Sequence, residues 1–359
     1  MGDREQGPDL AYQRGVLPDV SRTFALTIPE LPPDLELAVG NAYLLCRIAD
    51  TIEDDPALDE NLRKSLHDEL TAVLADGGCA RTFAERARVH LSEASSAQER
   101  TLVQDTPEVV AIHRRLTETQ RRAIRSCVIK MCRGMPEYQH AEKVRGLADI
   151  QELDRYCYHV AGVVGELLTE LFCEHSAAID EQRQSLYDLS ASFGQGLQMT
   201  NIIKDVWDDH ARGYCWLPRD VFAAAGYDLD QLAPDHDRAR FRIGIEQLIA
   251  IAHGHLRNAM HYTLMIPAAE TGIRLFCLWA VGLALLTLRK VRAHPDYVSP
   301  QDVKVSRRAV AAVVMATRVS VRSDKLLRML FRFAAAGLPR GRTDASLRTA
   351  NAGASRLSR

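Results

Sequence analysis

The stretch Gly196–Asp209, GLQMTNIIKDVWDD, decides what this sequence predicts about fold and function. On a helix its polar residues share one face, because they follow one another by three, four and four positions: Gln198, Asn201, Asp205 and Asp209. Apolar residues cover most of the remaining circumference, which predicts a helix in a core with its carboxylates turned towards an enclosed polar space. Two carboxylates four residues apart repel each other, and a hard cation is the simplest compensation.

The overall composition is that of an ordinary globular protein. Of the 359 residues, 47% are hydrophobic and 26% are charged. The chain has 45 Lys and Arg against 47 Asp and Glu, a formal net charge of −2. It therefore lacks a global basic field, and we predict no nucleic-acid partner. The eight cysteines include no CxxC pair and are typical of reduced core residues, so together with a polar N-terminus they predict a cytoplasmic protein.

Apolar residues recur with the helical period along most of the chain, and convincing runs of alternating β-branched residues are absent. The sequence therefore predicts an all-α protein, with helices near 35–54, 60–75, 108–133, 148–173, 184–209, 238–264, 270–292, 303–316 and 322–336. No linker or change of composition divides it, which predicts a single helical domain over residues 1–336. The longest apolar run, Leu275–Leu288, has fourteen residues. A bilayer needs ~20, so we predict a core helix and no transmembrane anchor.

Residues 337–359 form a basic, polar C-terminal segment rich in small residues. This composition is typical of a flexible terminus. The arginines of the segment could instead touch an anionic membrane surface, at about 1 kcal/mol for each charge. Peripheral membrane contact therefore stays open as an alternative.

A second acidic stripe lies earlier in the chain, in AYLLCRIADTIEDDP at residues 42–56. Arg47, Asp50 and Asp54 share a helical face there, while Glu53 points to one side. Either stripe alone fits an ordinary solvated acidic turn. The two together predict helices that bind several divalent cations, and oxygen ligands of this kind favour Mg²⁺ bridged to substrate phosphates. Zinc is disfavoured, because no His or Cys cluster at ligand spacing accompanies the carboxylates.

Four ordered blocks carry a resemblance to a known family: SRTF at Ser21–Phe24, RIADTIED at Arg47–Asp54, YCYHVAGVVGE at Tyr156–Glu166 and QMTNIIKDVWDD at Gln198–Asp209. Over residues 15–320 the sequence resembles the squalene/phytoene synthase family. The resemblance implies the all-α isoprenoid synthase fold with a central cavity, and the head-to-head joining of two prenyl diphosphates. It also implies that the two acidic helices hold Mg²⁺ and diphosphate on opposite walls of that cavity.

The resemblance further implies roles for single residues. The metal ligands would be Asp50, Asp54, Asn201, Asp205 and Asp209, and the four carboxylates would thereby serve catalysis. Substrate diphosphate would be bound by Ser21, Arg22, Arg47, Gln198, Asn201, Lys204, Arg212 and Tyr214. Tyr156 matches the family's catalytic tyrosine, which is thought to aid ionisation and proton handling. Without the family, Ser21 would be an N-cap, Arg22 a surface charge and Tyr156 a core tyrosine.

The same resemblance bears on the product. It implies that two farnesyl diphosphates condense to presqualene diphosphate, which NADPH then reduces to squalene. No GxGxxG motif follows a strand, so NADPH would bind in a family-specific way, with Lys304, Arg307 and Arg308 as candidate contacts. A solvated helix face explains this basic run nearly as well. The alternatives are an enzyme that stops at presqualene diphosphate, one that forms dehydrosqualene or phytoene, and a catalytically silent scaffold of the same fold.

Overall fold

The computed structural model describes residues 7–21, 23–138, 143–233 and 237–340. These residues form helices and connecting turns without a β-strand, and one isolated bridge joins Leu147 to Pro218. The all-α prediction is therefore confirmed. Arg22 lies outside the described residues, as do residues 341–359 of the predicted C-terminal segment.

The described ranges contain seventeen α-helices, numbered here in chain order. They are α1 (Pro8–Val20), α2 (Phe24–Thr27), α3 (Pro33–Asp54), α4 (Glu60–Leu74), α5 (Ala80–His90), α6 (Ala97–Gln104), α7 (Thr106–Arg115), α8 (Glu118–Gly134), α9 (Ile150–Cys157), α10 (Val163–His175), α11 (Ala177–Asp180), α12 (Arg183–Ala211), α13 (Arg219–Ala224), α14 (Arg238–Met265), α15 (Thr271–Ala293), α16 (Arg307–Ser320) and α17 (Asp324–Ala334). A π-helical turn, Tyr158–Gly162, separates α9 from α10.

The chain divides into two compact units, which are described separately. Unit 1 comprises Met1–Glu137 and Leu167–Glu181, and unit 2 comprises Tyr138–Glu166 and Gln182–Arg359. The division passes through α10, so this helix contributes residues to both units. The single domain expected over residues 1–336 stays a prediction.

Helix α3 is the centre of unit 1. Pro33 occupies its first turn, where the missing N–H would have no partner in any case. Fifteen of its 22 residues are buried, and α1, α4, α6, α7 and α8 pack against it. Because most of these buried positions are Leu, Ile, Val and Ala at helical spacing, hydrophobic burial holds α3 in the middle of the unit. The same packing places the few polar side chains of this helix.

Unit 2 is built around α12 and α14, helices of 29 and 28 residues that pack along each other. Gly196 lets the two backbones approach, since a Cβ there would lie 3.0 Å from the His255 Cβ. The π-helical turn packs even more closely on α12. A Cβ on Gly194 would lie less than 3.0 Å from the carbonyl oxygen of Ala161. Gly194 is therefore a steric requirement of α12, whereas Gly196 avoids a tight contact.

Helix α15 contains the apolar run for which a core position was predicted. By length and composition alone the helix could cross a membrane, but 67% of its most apolar 18-residue window is buried inside the structure. Trp279 in this window is 1% exposed, and its indole N–H donates to the Thr317 hydroxyl at 2.9 Å. Burial of this extent is typical of a core helix and agrees with the prediction.

The apolar pattern does not predict α5 or α6, and it predicts one helix over 108–133 where the structure has α7 and α8. Helix α8 begins with a capping box, in which Thr117 and Gln120 bond to each other's backbone N–H. Such a box ends one helix and starts the next within a continuous apolar period. Helix α6 has the same signature at Ser96 and Glu99, so the sequence signal for both helix starts was present.

Candidate active site

The first acidic stripe lies on α3, as predicted. Arg47, Asp50 and Asp54 are spaced by three and four residues on this helix, whose last residue is Asp54. Arg47 and Asp50 are half-buried, whereas Asp54 is exposed. The stripe thus runs from the interior of unit 1 to its surface, and the basic residue Arg47 lies at its inner end.

Asp55 anchors the end of this stripe. Its buried carboxylate accepts hydrogen bonds from the Ala57 N–H at 3.0 Å and from the Ser92 N–H and hydroxyl at 2.8 and 2.9 Å. The Ser95 hydroxyl donates to it at 2.9 Å. Burial raises the pKa of Asp55, but these hydrogen bonds outweigh burial and hold the pKa below its usual range. Asp54 is therefore presented by a helix end that is tied down.

Arg47 forms an ion pair with Glu99, a partner that no spacing in the sequence predicts. Glu99 is itself fixed by the capping box of α6, where the Ser96 N–H donates to it at 2.8 Å. Burial lowers the pKa of Arg47, but nearby carboxylates, Asp50 foremost, outweigh this effect and raise it. The Arg47 Nε–H is buried and has no acceptor among the described residues. Arg47 therefore keeps one donor for an anionic ligand.

Asp50 carries a strongly perturbed carboxyl group. Burial is the largest cause of a rise in its pKa to about 7, which Arg47 opposes and Asp54 and Glu53 reinforce. The sequence sets Glu53 to one side of the stripe, and the structure buries it there, 3.8 Å from the Nδ1 of His67. Ionised carboxylates in such surroundings need a cation, so the stripe favours a divalent ion.

Tyr43 extends the stripe by one helical turn and was not predicted. Its ring centroid lies 5.1 Å from that of Phe24, and its hydroxyl donates to the Val20 carbonyl at 3.1 Å. Burial raises the pKa of Tyr43, and a contact with the Ser21 hydroxyl opposes that rise. Ser21 also accepts the Phe24 N–H at 3.0 Å, although Thr23 and not Ser21 is the N-cap residue of α2. The spacing of Tyr43 from Arg47 was the signal that could have found it.

The pKa of Asp50 predicts how the stability of the metal-free chain depends on pH. The folded chain keeps the Asp50 proton up to about pH 7, whereas the unfolded chain releases it near pH 4. Between these values the folded state binds more protons, so ionisation of Asp50 destabilises the fold as the pH rises. We expect Asp50→Asn to be more stable than wild type by roughly 1–2 kcal/mol at pH 8, because water still reaches part of the carboxylate and weakens the effect.

The advantage of the asparagine variant should shrink at pH 5, where less of the Asp50 carboxyl is forced to ionise. Urea unfolding in EDTA at the two pH values measures both differences. Equal stability of the two proteins at pH 8 would contradict the burial of this carboxylate.

The second acidic stripe lies on α12, which confirms the predicted helix. The apolar positions around it are buried, as expected for a core helix: Ile202, Ile203 and Val206. Along the polar face, Asp209 is buried, Gln198 and Asp205 are half-buried and Asn201 is exposed. The stripe is thus open to ligands in its middle and enclosed at its C-terminal end.

Each carboxylate of the α12 stripe has a cation beside it. The Lys204 Nζ lies 3.2 Å from an Asp205 oxygen, and the Arg212 guanidinium donates to Asp209. Burial raises the pKa of Asp205, and Lys204 opposes the rise. The residues predicted to contact substrate and those predicted to bind metal are therefore neighbours within unit 2. An anion that binds together with a metal ion can accept hydrogen bonds from Lys204 and Arg212, while the carboxylates coordinate the metal.

The segment after α12 turns back onto the helix. Gly213 adopts φ 82°, which favours glycine, and the Tyr214 N–H donates to the Asp209 carbonyl at 2.9 Å. The turn stacks Tyr214 on Trp216, with ring centroids 5.7 Å apart and planes at 16°. Trp216 stacks in turn on Tyr156 at 4.2 Å and 6°. The predicted residues Tyr156 and Tyr214 are therefore joined through Trp216, whose role was not predicted.

Tyr156 is half-buried near the end of α9, just before the π-helical turn Tyr158–Gly162. Tyr138 contacts its ring edge-on at 5.4 Å. The Tyr158 hydroxyl donates to Glu166 at 2.8 Å and so bridges the turn. π-Helical turns occur frequently at functional sites. Rings on two sides fix the orientation of Tyr156, which supports its assignment as a site residue rather than as core filling.

Trp216 is expected to act as a positioning residue for Tyr156. Trp216→Ala removes a stacked pair worth about 0.5–1.5 kcal/mol beyond its buried area and frees the tyrosine ring. We expect kcat to fall roughly ten- to a hundredfold, because small misplacements of a reacting group cost that much. Trp216→Phe keeps a stacked ring and should recover most of the rate. Steady-state kinetics of the two variants would refute the role if only KM changed or if phenylalanine gave no recovery.

The basic run predicted to contact NADPH lies at the start of α16. Lys304, Arg307 and Arg308 are all exposed, and the Lys304 ammonium donates to the Gln301 side chain at 3.3 Å. Ser306 caps the helix by accepting the Ala309 N–H. The structure brings these residues together on one exposed surface. Their assignment to NADPH stays a prediction.

The described residues contain no group of three His, Cys, Asp or Glu side chains arranged to hold a metal ion. Each stripe instead offers two carboxylates, and the α12 stripe adds the Asn201 amide. Mg²⁺ usually takes one or two carboxylates and completes its shell with water and substrate phosphates. The donor set of either stripe therefore fits a magnesium ion shared with a diphosphate, not an all-protein metal cage.

Comparisons with known proteins show what the chain as a whole is similar to. The family model for squalene/phytoene synthase matches residues 17–309. The squalene synthase ERG9 of Candida albicans is 28% identical over 303 residues, which are 83% of this chain. This chain spans 65% of the length of that relative.

Solved structures show the same fold. TcSQS in complex with the ligand BPH1237 superimposes with a TM-score of 0.74 at 22% identity, over 97% of this chain and 98% of that one. A dehydrosqualene synthase in complex with a ligand follows with a TM-score of 0.63 at 19% identity, over 89% and 99%. These matches confirm the predicted isoprenoid synthase fold. Since the family model covers most of the sequence and every predicted site residue, the chain is a member of the squalene/phytoene synthase family.

Proposed function

We propose that the chain is a magnesium-dependent squalene synthase, which joins two farnesyl diphosphates into presqualene diphosphate and reduces that intermediate with NADPH. The observation that carries the proposal is the pair of acidic stripes, each of which includes or adjoins a basic side chain: Arg47 near Asp50, and Lys204 and Arg212 at Asp205 and Asp209. The name of the Candida albicans relative supports the same activity. The cytoplasmic location stays a prediction.

The first reaction needs a diphosphate to leave an allylic carbon. Negative charge develops on the leaving group, and Mg²⁺, when bound, would help to neutralise it. The ligands would be the predicted oxygen donors, Asp50, Asp54, Asn201, Asp205 and Asp209. The cations that would donate to phosphate oxygens are Arg47, Lys204, Arg212 and, from the sequence match, Arg22. Neutral hydrogen bonds would come from Ser21, Gln198 and Tyr214.

The ion pairs of each stripe would prepare that stripe for a substrate diphosphate. Lys204 and Arg212 form ion pairs with Asp205 and Asp209, so their positive charges are already located where the diphosphate would bind. Arg47 is held by Glu99 and retains a buried Nε–H without an acceptor among the described residues. Prepositioned charge of this kind needs little reorganisation when the leaving group ionises.

Tyr156 would act on the cation that remains after ionisation. Its hydroxyl can take or return a proton, and its stacked ring, with Trp216 and Tyr214, offers π faces to a carbocation. Apolar surroundings would keep water from quenching that cation. These roles are proposed for the hydroxyl and the ring separately, and the variants Tyr156→Phe and Tyr156→Leu distinguish them.

A second candidate function ends before the hydride transfer. Lys304, Arg307 and Arg308 are exposed and lie at a helix start, which is also what a solvated surface shows. An enzyme without NADPH would release presqualene diphosphate, or would convert it to dehydrosqualene with loss of diphosphate and a proton. The same steps on two geranylgeranyl diphosphates would give phytoene.

A product assay separates these functions. Purified protein is incubated with farnesyl diphosphate and Mg²⁺, with and without NADPH, and the products are identified by mass spectrometry. We expect presqualene diphosphate without NADPH, squalene with it, and no product in EDTA. Absence of squalene would refute the reduction step, and consumption of geranylgeranyl diphosphate alone would refute the chain length. No product under any condition would favour the silent scaffold.

A further inference from the structure

Unit 2 contains a basic cavity beside α14, away from the acidic stripe on α12. It has a volume of about 370 Å³, within the usual range of small-molecule sites. Four arginines and two histidines contribute to its lining: His253, Arg257, His261, Arg328, Arg332 and Arg340. None of the described residues that line it is acidic. A cavity of this kind attracts anions.

The arginines of the cavity have no carboxylate partner among the described residues. Arg257 is the clearest case, because its Nε and Nη2 atoms are buried without a hydrogen-bond acceptor there. Arg274 on the neighbouring α15 shows the contrast. Its side chain is more deeply buried than that of Arg257, yet it donates to the Ile266 carbonyl and to Asp324, both at 2.8 Å. Buried guanidinium donors are normally satisfied in this way, so Arg257 lacks an acceptor that a ligand would supply.

The cavity is distinct from the proposed active site. On α14, His255 and Asn258 face α12 and lie 3.2 and 3.1 Å from the Ser192 hydroxyl. His253 and Arg257 lie on the other side of α14. Ser192 precedes Asp205 by thirteen residues of the same helix, about 20 Å at 1.5 Å per residue. A ligand of the cavity therefore does not reach the carboxylates of the α12 stripe.

We propose that this cavity is a second anion site, which binds a phosphate group carried by a soluble diphosphate or by a phospholipid. Arginine suits this ligand because its planar fork donates two parallel hydrogen bonds to phosphate oxygens. The segment after α17 forms one wall of the cavity. His253 contacts this wall, since its Nδ1 lies 2.9 Å from the Pro339 carbonyl oxygen. The wall and the guanidinium groups thus belong to one ordered recess.

The surface beside the cavity bears on the source of the phosphate. Residues 307–340 include eight basic side chains and one acidic side chain, in a chain of net charge −2. On α17, Met329 and Phe333 are 58% and 74% exposed, each next to an arginine of the cavity. Exposed apolar side chains among arginines suit a phospholipid surface, whereas a soluble diphosphate needs the cavity alone.

The double variant Arg328→Gln/Arg332→Gln tests the site. Both residues are exposed, so the fold should survive. The matched control is Arg322→Gln/Lys325→Gln, which removes two exposed charges from the same region without touching the cavity lining. Binding of inorganic diphosphate is measured by calorimetric titration in EDTA, which removes divalent cations and so prevents metal-dependent binding at the acidic stripes. Sedimentation measures binding to vesicles of phosphatidylcholine with and without phosphatidylglycerol.

We expect the cavity variant to bind at least one of the two probes about tenfold or more weakly than wild type, and the control to bind normally. Phe333→Ser identifies the source. It should weaken binding to anionic vesicles if the ligand is a phospholipid and leave the calorimetric titration unchanged if it is a soluble diphosphate. The proposal is overturned if wild type binds neither probe, or if the control variant loses as much affinity as the cavity variant. Neither result depends on turnover of farnesyl diphosphate.

Discussion

Replacing Asp50 or Asp205 with asparagine is expected to lower kcat for farnesyl diphosphate by about 10²–10³-fold. Burial disfavours the ionised form of both carboxylates and raises their pKa, and a bound cation would compensate their charge. Asparagine is neutral and a much weaker ligand for a hard ion. Because the charge on the leaving group develops in the transition state, the loss should fall on kcat more than on KM. Initial rates at saturating substrate and Mg²⁺ measure it.

Two substitutions on the same helices serve as controls. Asp34→Asn on α3 and Asp188→Asn on α12 each remove one exposed carboxylate away from the stripe, and kcat should stay near the wild-type value. A loss as large in these controls, or wild-type rates in the stripe variants, would refute the metal assignment. Unfolding does not explain the expected loss in Asp50→Asn, since that variant should be more stable than wild type at pH 8.

Gly194→Ala is expected to destabilise the fold by roughly 3 kcal/mol, the largest stability effect expected here from adding one methyl group. The new Cβ would lie less than 3.0 Å from the Ala161 carbonyl oxygen, and that atom belongs to the backbone of the π-helical turn. Backbone cannot swing away as a flexible side chain can, so α12 and the turn must separate. Gly165→Ala should have a similar effect, because its Cβ would meet the Ser190 carbonyl oxygen as closely. Urea unfolding measures both.

Gly15→Ala is the matched control for these variants. Gly15 lies inside α1, and a Cβ there would meet no atom within 4 Å. Alanine should therefore stabilise this helix by up to about 1 kcal/mol, through its higher helix propensity. If Gly194→Ala were as stable as wild type, the close approach of α12 to the π-helical turn would be wrong. The opposite signs of the two changes separate steric contact from propensity.

The two acidic stripes could be predicted because their geometry is local. Residues three and four positions apart share a face on any helix. Once α12 was predicted, the common face of Asp205 and Asp209 followed. The same holds for Asp50 and Asp54 on α3. Glycine inside a helix is unfavourable, so the glycines of Tyr156–Glu166 need a reason that the sequence does not supply. At Gly165 the structure supplies close packing, because a Cβ there would meet the Ser190 backbone.

Some partners of the site residues could not be predicted, because they lie far away in the chain. Arg47 meets Glu99 across 52 residues, and neither residue type nor spacing marks that pair. Trp216 lies in what reads as a loop, and only the turn at Gly213 brings it onto Tyr156. Cavity residues such as Arg257 show no pattern in the sequence for the same reason.

The stretch Gly196–Asp209 separates what the sequence determines from what only the tertiary structure determines. Its helix, its polar face and its likeness to one family follow from residue order alone, because the helical period and the motif are properties of neighbouring residues. The raised pKa of Asp205, its ion pair with Lys204 and the hold of Arg212 on Asp209 depend on how packing excludes water and aligns side chains. Burial and charge separation are properties of the folded chain, so only the tertiary structure decides them.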